Sequence, residues 1–293
     1  MATDVQREQI LSEAIGEISH IATLPEITLK IIELVEDPSS TAQDLHNLIS
    51  CDPALCSRVL KVVNSSFYGL PGQIASINRA IVMLGLNAVK NIAIAASLAK
   101  LFRGGQLTPF FAARDLWDHA LASAAATKLL ADKLGFGLTD EAFLAGLIHD
   151  IGFMVEMQYD RNKIIDVVER VKPDNDGVPT GDMLAVEEEF FGVNHQDFGH
   201  ALCERWKFPK TLCSVTKYHH DPLTAPAEHR TLCNLVYVAD RIAGEHENGF
   251  RLDLPDLDMN PAVLEALNLS KDKLEEIRAA FPEALEGVND LIG

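Results

Sequence analysis

The stretch Ala142-Phe-Leu-Ala-Gly-Leu-Ile-His-Asp-Ile151 ends an apolar helical run with an adjacent histidine and aspartate. Burying an ionised carboxylate is costly unless the group is paired, hydrogen-bonded or bound to a metal. His149 and Asp150 therefore require polar partners from other parts of the chain. The remaining histidines and carboxylates are the candidates for that role.

Helical periodicity dominates the sequence on both sides of this stretch. Apolar residues recur at helical spacing, and glycine and proline fall between these runs rather than in hairpin pairs. No alternation typical of a β-strand is sustained. The sequence therefore predicts an all-α fold, with a buried helix at residues 86–102, a long helix at 110–134, and tail helices at 261–267 and 271–281.

A polar segment with two glycines, residues 103–109, is the candidate boundary between two helical lobes. It predicts an N-terminal lobe at residues 1–105, packed on a second lobe at residues 106–293. A chain of 293 residues can bury a sizeable core without disulfide or metal staples. We therefore expect the fold to be held together mainly by apolar burial.

The charge balance excludes two classes of partner. The chain has 25 Lys and Arg against 43 Asp and Glu, a net charge of −18, so we expect no nucleic-acid or membrane partner. The helix–glycine–helix pattern at residues 76–100 has only Arg79, Lys90 and Lys100 as basic residues, too few for a DNA-binding helix-turn-helix. A small phosphorylated ligand remains compatible if metal ions offset the negative field.

The cysteines and the N-terminus indicate a cytoplasmic protein. Five cysteines form an odd set with no Cys-x-x-Cys pair, which favours free thiols in a reducing compartment. The first residues lack the regions of a signal peptide, and no uninterrupted apolar run reaches membrane-spanning length.

Histidines are concentrated in the second predicted lobe. Asp115 and His119 are four residues apart, so a helix would place them on one face. Imidazoles and carboxylates from several helices are suitable ligands for zinc, iron or manganese. Spacing alone leaves metal binding and separate structural roles both open. The candidate ligands are Asp115, His119, His149, Asp150, His195, His219, His220 and Asp240, whereas capping or hydrogen-bonding roles are expected for His20, His46, His200, His229 and His246.

The order of four of these residues adds a resemblance to a known superfamily. His119, then His149-Asp150, then Asp240 resembles the H…HD…D ligand series of the HD superfamily of metal-dependent phosphohydrolases. The resemblance implies a divalent metal centre containing one to three ions. It implies that these four residues would hold one ion.

The additional histidines resemble those of one enzymatic branch of that superfamily. His195, His219 and His220 match the HD-GYP cyclic di-GMP phosphodiesterases, and Asp115 stands where that branch can place a glutamate for a further metal. Phe153, however, stands where those enzymes have a lysine after His-Asp-Ile-Gly, and the Gly-Tyr-Pro motif is absent. The sequence therefore lacks a phosphate-facing cation, and no catalytic residue is assigned.

A second resemblance covers residues 17–244 and points to the HDOD family of HD-related output domains. It implies an all-helical bacterial signalling module, often degenerate at the HD positions, whereas this chain keeps all four. The motifs that carry it are Leu24-Pro25, Asp52-Pro53-Ala54-Leu55, Val63-Asn64-Ser65-Ser66-Phe67-Tyr68, Ser76-Ile77-Asn78-Arg79-Ala80-Ile81 with Leu84-Gly85, Ala145 to Gly152, Asn194-His195, and Trp206-Lys207-Phe208-Pro209.

Two functional hypotheses follow. The first is a signalling or regulatory HDOD protein that relays a signal through a partner protein and retains a structural metal site. The second is a metal-dependent phosphohydrolase acting on a cyclic dinucleotide or a nucleotide. A nucleophilic hydrolase has little support, because no Gly-x-Ser-x-Gly elbow is present.

Overall fold

The computed structural model describes residues 3–18, 24–37, 39–65, 67–99, 101–102, 105–175, 177–246 and 250–289. Helices make up most of these residues, and the predicted all-α class is confirmed. The first half of the chain forms α1 (Asp4–Glu17), α2 (Glu26–Glu36), α3 (Ala42–Ser50), α4 (Pro53–Val63), α5 (Ile77–Leu84) and α6 (Leu86–Leu98).

Local signals set the starts of these helices. Thr41 and Asp44 form a capping box at the start of α3, and Asp52 accepts hydrogen bonds from the first backbone amides of α4. Gly85, at a positive φ of 93°, ends α5 and starts α6, a conformation that disfavours other residues. The predicted burial of α6 is confirmed, because every residue from Ala88 to Leu98 is buried.

The second half begins with a short hairpin of β1 (Gln106–Thr108) and β2 (Phe111–Ala112), which pair antiparallel. The hairpin delays the start of the long helix that the sequence places at residue 110. The helices that follow are α7 (Ala113–Leu134), α8 (Thr139–Ile148), α9 (Gly152–Tyr159), α10 (Arg161–Val171), α11 (Met183–Phe191), α12 (His195–Arg205), α13 (Lys210–Tyr218), a 3₁₀ turn (Pro222–Thr224), α14 (Arg230–Gly244), α15 (Pro261–Ala266) and α16 (Lys271–Asn289).

The last helix is longer than its sequence predicts. Helix α16 continues through Pro282 to Asn289 rather than ending near residue 281. It packs along α7 and buries Ile277, Phe281 and Val288. Burial of this apolar stripe offsets the backbone hydrogen bond that proline removes.

Helix α7 is the centre of the second half, since α8, α14 and α16 all pack on it. Helix α8 also contacts α6, which joins the two halves of the chain. Helix α1 lies against α9 and α12, and its Arg7 pairs with Glu188 of α11 at 3.3 Å and with Asp197 of α12. The division into lobes at residue 105 stays a prediction. In the described part of the chain, no helix is both long enough and apolar enough to cross a bilayer.

Candidate metal centre

The His149-Asp150 pair lies in a tight turn between α8 and α9. His149 is the C-cap residue of α8, and the Ile151 amide donates to the carbonyl of Ile148 at 3.0 Å. Both side chains are buried, with exposed fractions of 0 % and 1 %. The turn therefore directs two polar groups from the end of an apolar helix into the protein interior.

Close packing at Gly152 positions the facing helix. A Cβ at Gly152 would lie 1.8 Å from the carbonyl oxygen of His195 and 2.9 Å from the amide nitrogen of Gly199. Only glycine allows the backbones of α9 and α12 to approach this closely. The contact places His195, the first residue of α12, beside Asp150.

A first group of ligand atoms comes from α7, the α8–α9 turn and α14. His119 Nε2 lies 3.0 Å from Asp240 Oδ1, and His149 Nε2 lies 3.5 Å from the same oxygen. One ligand atom from each residue fits within a mutual distance of 4.8 Å. This separation allows one ion to be bound by all three residues after small adjustments.

A second group lies on the other side of Asp150. His219 Nε2 lies 3.2 Å from Asp150 Oδ1, and His195 Nε2 lies 3.7 Å from it. His220 Nε2 is 3.1 Å from His195 Nε2 and 3.3 Å from Asp253 Oδ2. Ligand atoms of these five residues also fit within 4.8 Å of one another.

Asp150 joins the two groups. Its Oδ2 lies 3.2 Å from His149 Nε2 and 3.8 Å from His119 Nε2, whereas its Oδ1 faces the second group. One carboxylate thus presents a different oxygen to each group. If each group held an ion, Asp150 would supply one oxygen to each of them.

Backbone and carboxylate acceptors orient the histidine rings. His149 Nδ1 donates to the carbonyl of Gly146 at 2.7 Å, and His219 Nδ1 donates to the carbonyl of Thr216 at 3.2 Å. Because a carbonyl only accepts, each Nδ1 donates a proton, and Nε2 is the ring atom that faces the centre. Each Nε2 would bind a metal in its deprotonated form, as metal-bound histidines require.

Glu187 performs the same orienting role for His195. Its Oε2 accepts from the backbone amide and from Nδ1 of His195, both at 2.9 Å. Glu187 is completely buried, and burial raises the pKa of its carboxyl well above the ordinary range. Glu156 is also completely buried, and burial with the nearby Glu187 raises its pKa strongly.

Charge interactions within the first group are strong. Burial opposes the charged form of His149, but Asp150 and Asp240 outweigh it and hold its pKa well above the ordinary value. The same attraction overcomes burial at both aspartates and holds their pKa values well below the usual range. Burial together with His220 lowers the pKa of His219 to about 4. The carboxylates therefore stay ionised and require positive charge nearby.

Unsatisfied polar atoms test whether the residues fit a metal. Both side-chain oxygens of Asp150 and Asp253, Oδ2 of Asp240 and Nε2 of His149 have no hydrogen-bond partner. Buried polar atoms are nearly always hydrogen-bonded, so a cluster of polar atoms without hydrogen-bond partners needs another explanation. Nitrogen and oxygen donors from buried imidazoles and carboxylates fit a divalent transition metal.

The structure brings together seven of the eight predicted ligands and separates one. Asp115 is exposed on the first turn of α7, where its Oδ2 accepts from the Ala112 amide at 3.2 Å. It belongs to neither ligand group, so its proposed metal role is not supported. A shared helix face with His119 does not suffice, because one turn of helix carries Asp115 out to the surface.

Sequence reasoning missed Asp253 and Glu187. Asp253 follows α14 in a non-helical segment, between Leu252 and Leu254, and is 1 % exposed. Its two leucine neighbours were the available signal of burial. Glu187 begins a run of three glutamates in α11 that is typical of a solvated helix face. No local pattern separates it from Glu188 and Glu189.

Three of the histidines outside the centre have ordinary partners, whereas Nδ1 of His46 is buried without a hydrogen-bond partner, so the hydrogen-bonding role expected for His46 is not seen at that atom. His200 Nδ1 donates to the carbonyl of Cys213 at 2.9 Å, and His229 Nδ1 pairs with the Ser214 hydroxyl at 2.7 Å. His246 packs edge-on against Phe281. His20 lies outside the described residues.

Solved structures share this fold. An HDOD domain protein with unknown function from Geobacter sulfurreducens is 26 % identical, with a TM-score of 0.72 over 96 % of this chain and 99 % of that one. A phosphohydrolase candidate from Shewanella amazonensis SB2B is 22 % identical, with a TM-score of 0.74 over 96 % and 98 % of the two chains. The second similarity concerns the fold alone.

Sequence comparison identifies the family. An uncharacterised protein of Treponema pallidum (strain Nichols) is 25 % identical over 236 residues, which are 80 % of this chain. This chain spans only 44 % of the length of that relative. The HDOD domain family matches residues 21–222, within the range of the resemblance read from the motifs. Because that match covers more than half of the sequence, this chain belongs to the HDOD domain family.

Proposed function

We propose that this chain is a bacterial signalling protein that acts in the cytoplasm and contains a resident metal centre. The observation that carries the proposal is the burial of the centre. His119, His149, His195 and His219 are at most 1 % exposed, as are all three aspartates. Ligand sites that serve structure are filled and enclosed by protein, whereas catalytic sites keep a position open to water or substrate.

Each ligand group is suited to one divalent ion. His119, His149 and Asp240 would hold the first ion together with Asp150 Oδ2, and the second group would hold another. Iron, manganese and zinc all suit imidazole and carboxylate donors. Asp115 lies at the surface and the buried ligands form two groups, which supports two ions within the expected range of one to three. When bound, the ions would supply positive charge that compensates the buried carboxylates.

The ligands come from six places in the second half of the chain: α7, the α8–α9 turn, the start of α12, the end of α13, α14, and the segment after α14. Metal occupancy is therefore coupled to the relative placement of these helices. A partner protein that binds one arrangement better than another would shift both metal affinity and helix packing. This coupling provides a physical basis for relaying a signal through a partner.

A hydrolytic role has weaker support, because Phe153 stands where the HD-GYP enzymes have a lysine. Phe153 stacks on His195 with ring centroids 4.2 Å apart and is completely buried. In the described residues, the ion pairs of Asp150, Asp240 and Asp253 are all with histidines. The centre thus offers apolar and imidazole surface where a phosphate-facing cation would be needed.

Metal analysis combined with an activity screen tests the proposal. Protein purified without chelator should contain about two equivalents of metal per chain, and His149→Ala should lose metal. His200→Ala, which replaces a histidine outside the centre, should retain it. Metal-free wild-type protein, or turnover of cyclic dinucleotides or nucleotides at enzyme-like rates, would overturn the proposal.

The alternative is a metal-dependent phosphohydrolase. The observation in its favour is that Asp150 presents one oxygen to each ligand group, as in two-metal phosphoester-cleaving sites. Under this alternative a phosphorylated small ligand would be the substrate. Metal-dependent turnover that disappears in Asp150→Asn would favour it over the signalling role.

A further inference from the structure

The segment that follows α14 returns across the metal centre. Residues 250–254 place Phe250 and Asp253 in the interior, with exposed fractions of 5 % and 1 %. The Phe250 ring lies edge-on to His119, with centroids 5.9 Å apart, and also packs against Phe153 at 5.6 Å. Three residues later, Asp253 reaches the second ligand group. One short segment therefore covers both sides of the centre.

Asp253 has the environment of a ligand rather than of a structural carboxylate. Its Oδ2 lies 3.3 Å from His220 Nε2, and neither of its oxygens has a hydrogen-bond partner. A structural buried carboxylate would accept several hydrogen bonds, because burial of an unpaired ionised group is costly. The side chain is instead aimed at four other potential ligands, Asp150, His195, His219 and His220.

The chain after Asp253 is anchored along α14. Leu254 contacts Gly244, where a Cβ would approach the Leu254 side chain to 3.2 Å. Arg241 Nε donates to the carbonyl of Asp258 at 3.2 Å, and the Asn260 amide donates to the Tyr237 hydroxyl at 3.1 Å. These contacts fix the segment on the helix that carries Asp240. Asp253 is therefore held in place by the fold.

We propose that Asp253 is an endogenous ligand of the second metal position and occupies the coordination place that an external oxyanion would otherwise take. The proposal rests on the proposed metal centre and adds how access of external ligands to its second position is regulated. Four other protein groups already surround this position, so Asp253 as the fifth donor completes a five-coordinate ion, and its loss leaves one coordination place open. Displacement of the Asp253 carboxylate would open the position to phosphate.

Asp253 also lies outside the part of the chain that matches the family. The HDOD match ends at residue 222, so both Asp253 and the segment that supports it are additional to that match. Asp256, on the same segment, is exposed and accepts only a local hydrogen bond from the Asp258 amide. It provides a matched control with the same charge.

The test is a phosphate titration of full-length protein reconstituted with Co²⁺, followed by visible absorption. Wild type and Asp256→Ala should show no saturable spectral change, whereas Asp253→Ala should bind phosphate at least about tenfold more tightly. Asp253→Asn, which keeps the side-chain volume, replaces the alanine variant if that variant does not fold. The Co²⁺ absorption spectrum of the Asp253→Asn variant, before phosphate is added, should already differ from that of wild type.

The outcomes separate this proposal from the proposed function. If wild type binds Co²⁺ but Asp253→Ala and Asp253→Asn match it in spectrum and phosphate response, the role of Asp253 is overturned and the metal centre stands. If wild type responds to phosphate as strongly as the variants, the position is open and the proposal fails. If wild type binds no Co²⁺ at either position, both proposals fail.

Discussion

Replacing Gly152 with alanine should break the contact that brings His195 to Asp150. The added methyl would lie 1.8 Å from the His195 carbonyl oxygen, whereas ordinary contacts begin near 3.4 Å. Helix α12 would have to move away by about 1.6 Å, the difference between these distances. Metal–ligand distances tolerate only about 0.2 Å. The second ligand group should therefore lose its affinity for metal while the first keeps most of its own.

The stability cost of Gly152→Ala follows from overpacking. Forcing extra volume into a packed site costs typically about 1 to 3 kcal/mol, which for a chain of this size lowers the melting temperature by roughly 2 to 12 °C. Calorimetry with metal analysis on the same samples measures both effects. Gly16→Ala in α1, where a Cβ meets nothing within 4 Å, is the control and should melt at or slightly above wild type. A Gly152→Ala protein with wild-type melting and full metal content would refute the reasoning.

Three further predictions concern the surroundings of the centre. Glu187→Ala removes the acceptor of two His195 N–H groups and should weaken metal binding about 10- to 100-fold in a chelator competition, and unchanged affinity would contradict the orienting role. Chelation of the metal should lower stability by about 2.7 kcal/mol if the ion is otherwise present at 100 times its dissociation constant, and equal melting with and without chelator would contradict this. Burial opposes the charged form of Asp197, but Lys217 and Arg7 outweigh it and hold the pKa of this carboxyl below its ordinary value. The ionised carboxylate therefore stabilises the fold fully above the ordinary pKa of aspartate, and this contribution is lost as the pH falls through the lower pKa of the folded state. Asp197→Asn should therefore unfold more easily than wild type in urea at neutral pH, with the difference shrinking in acid, and a constant difference across pH would contradict the assignment.

Much of the architecture was predictable because local signals agree with the fold. The capping residues Thr41, Asp52 and Asn194 begin their helices where the sequence places them. Apolar periodicity identified the buried helix α6. The end of α16 was not predictable from local propensity, because packing against α7 overrides the proline at position 282.

The candidate site was predictable as a set of residues, and its geometry was not. The order of His119, His149-Asp150 and Asp240 names, through family resemblance, groups that the fold brings close together, whereas spacing alone left their convergence open. The fold decides which groups reach the interior. It leaves Asp115 at the surface at the start of α7, and it brings Asp253, whose direction depends on the segment anchored along α14, close to the predicted ligands.

The contact of α1 with α12 has a consequence for biosynthesis. Arg7 and its partner Asp197 are separated by 190 positions in the sequence, so α1 cannot dock on α12 until the long intervening part of the chain has been synthesised. Until then its apolar face is exposed, and contacts of such long sequence separation slow folding. A shortened chain beginning at residue 21, where the family match starts, would lack this brace on the helix that begins with His195.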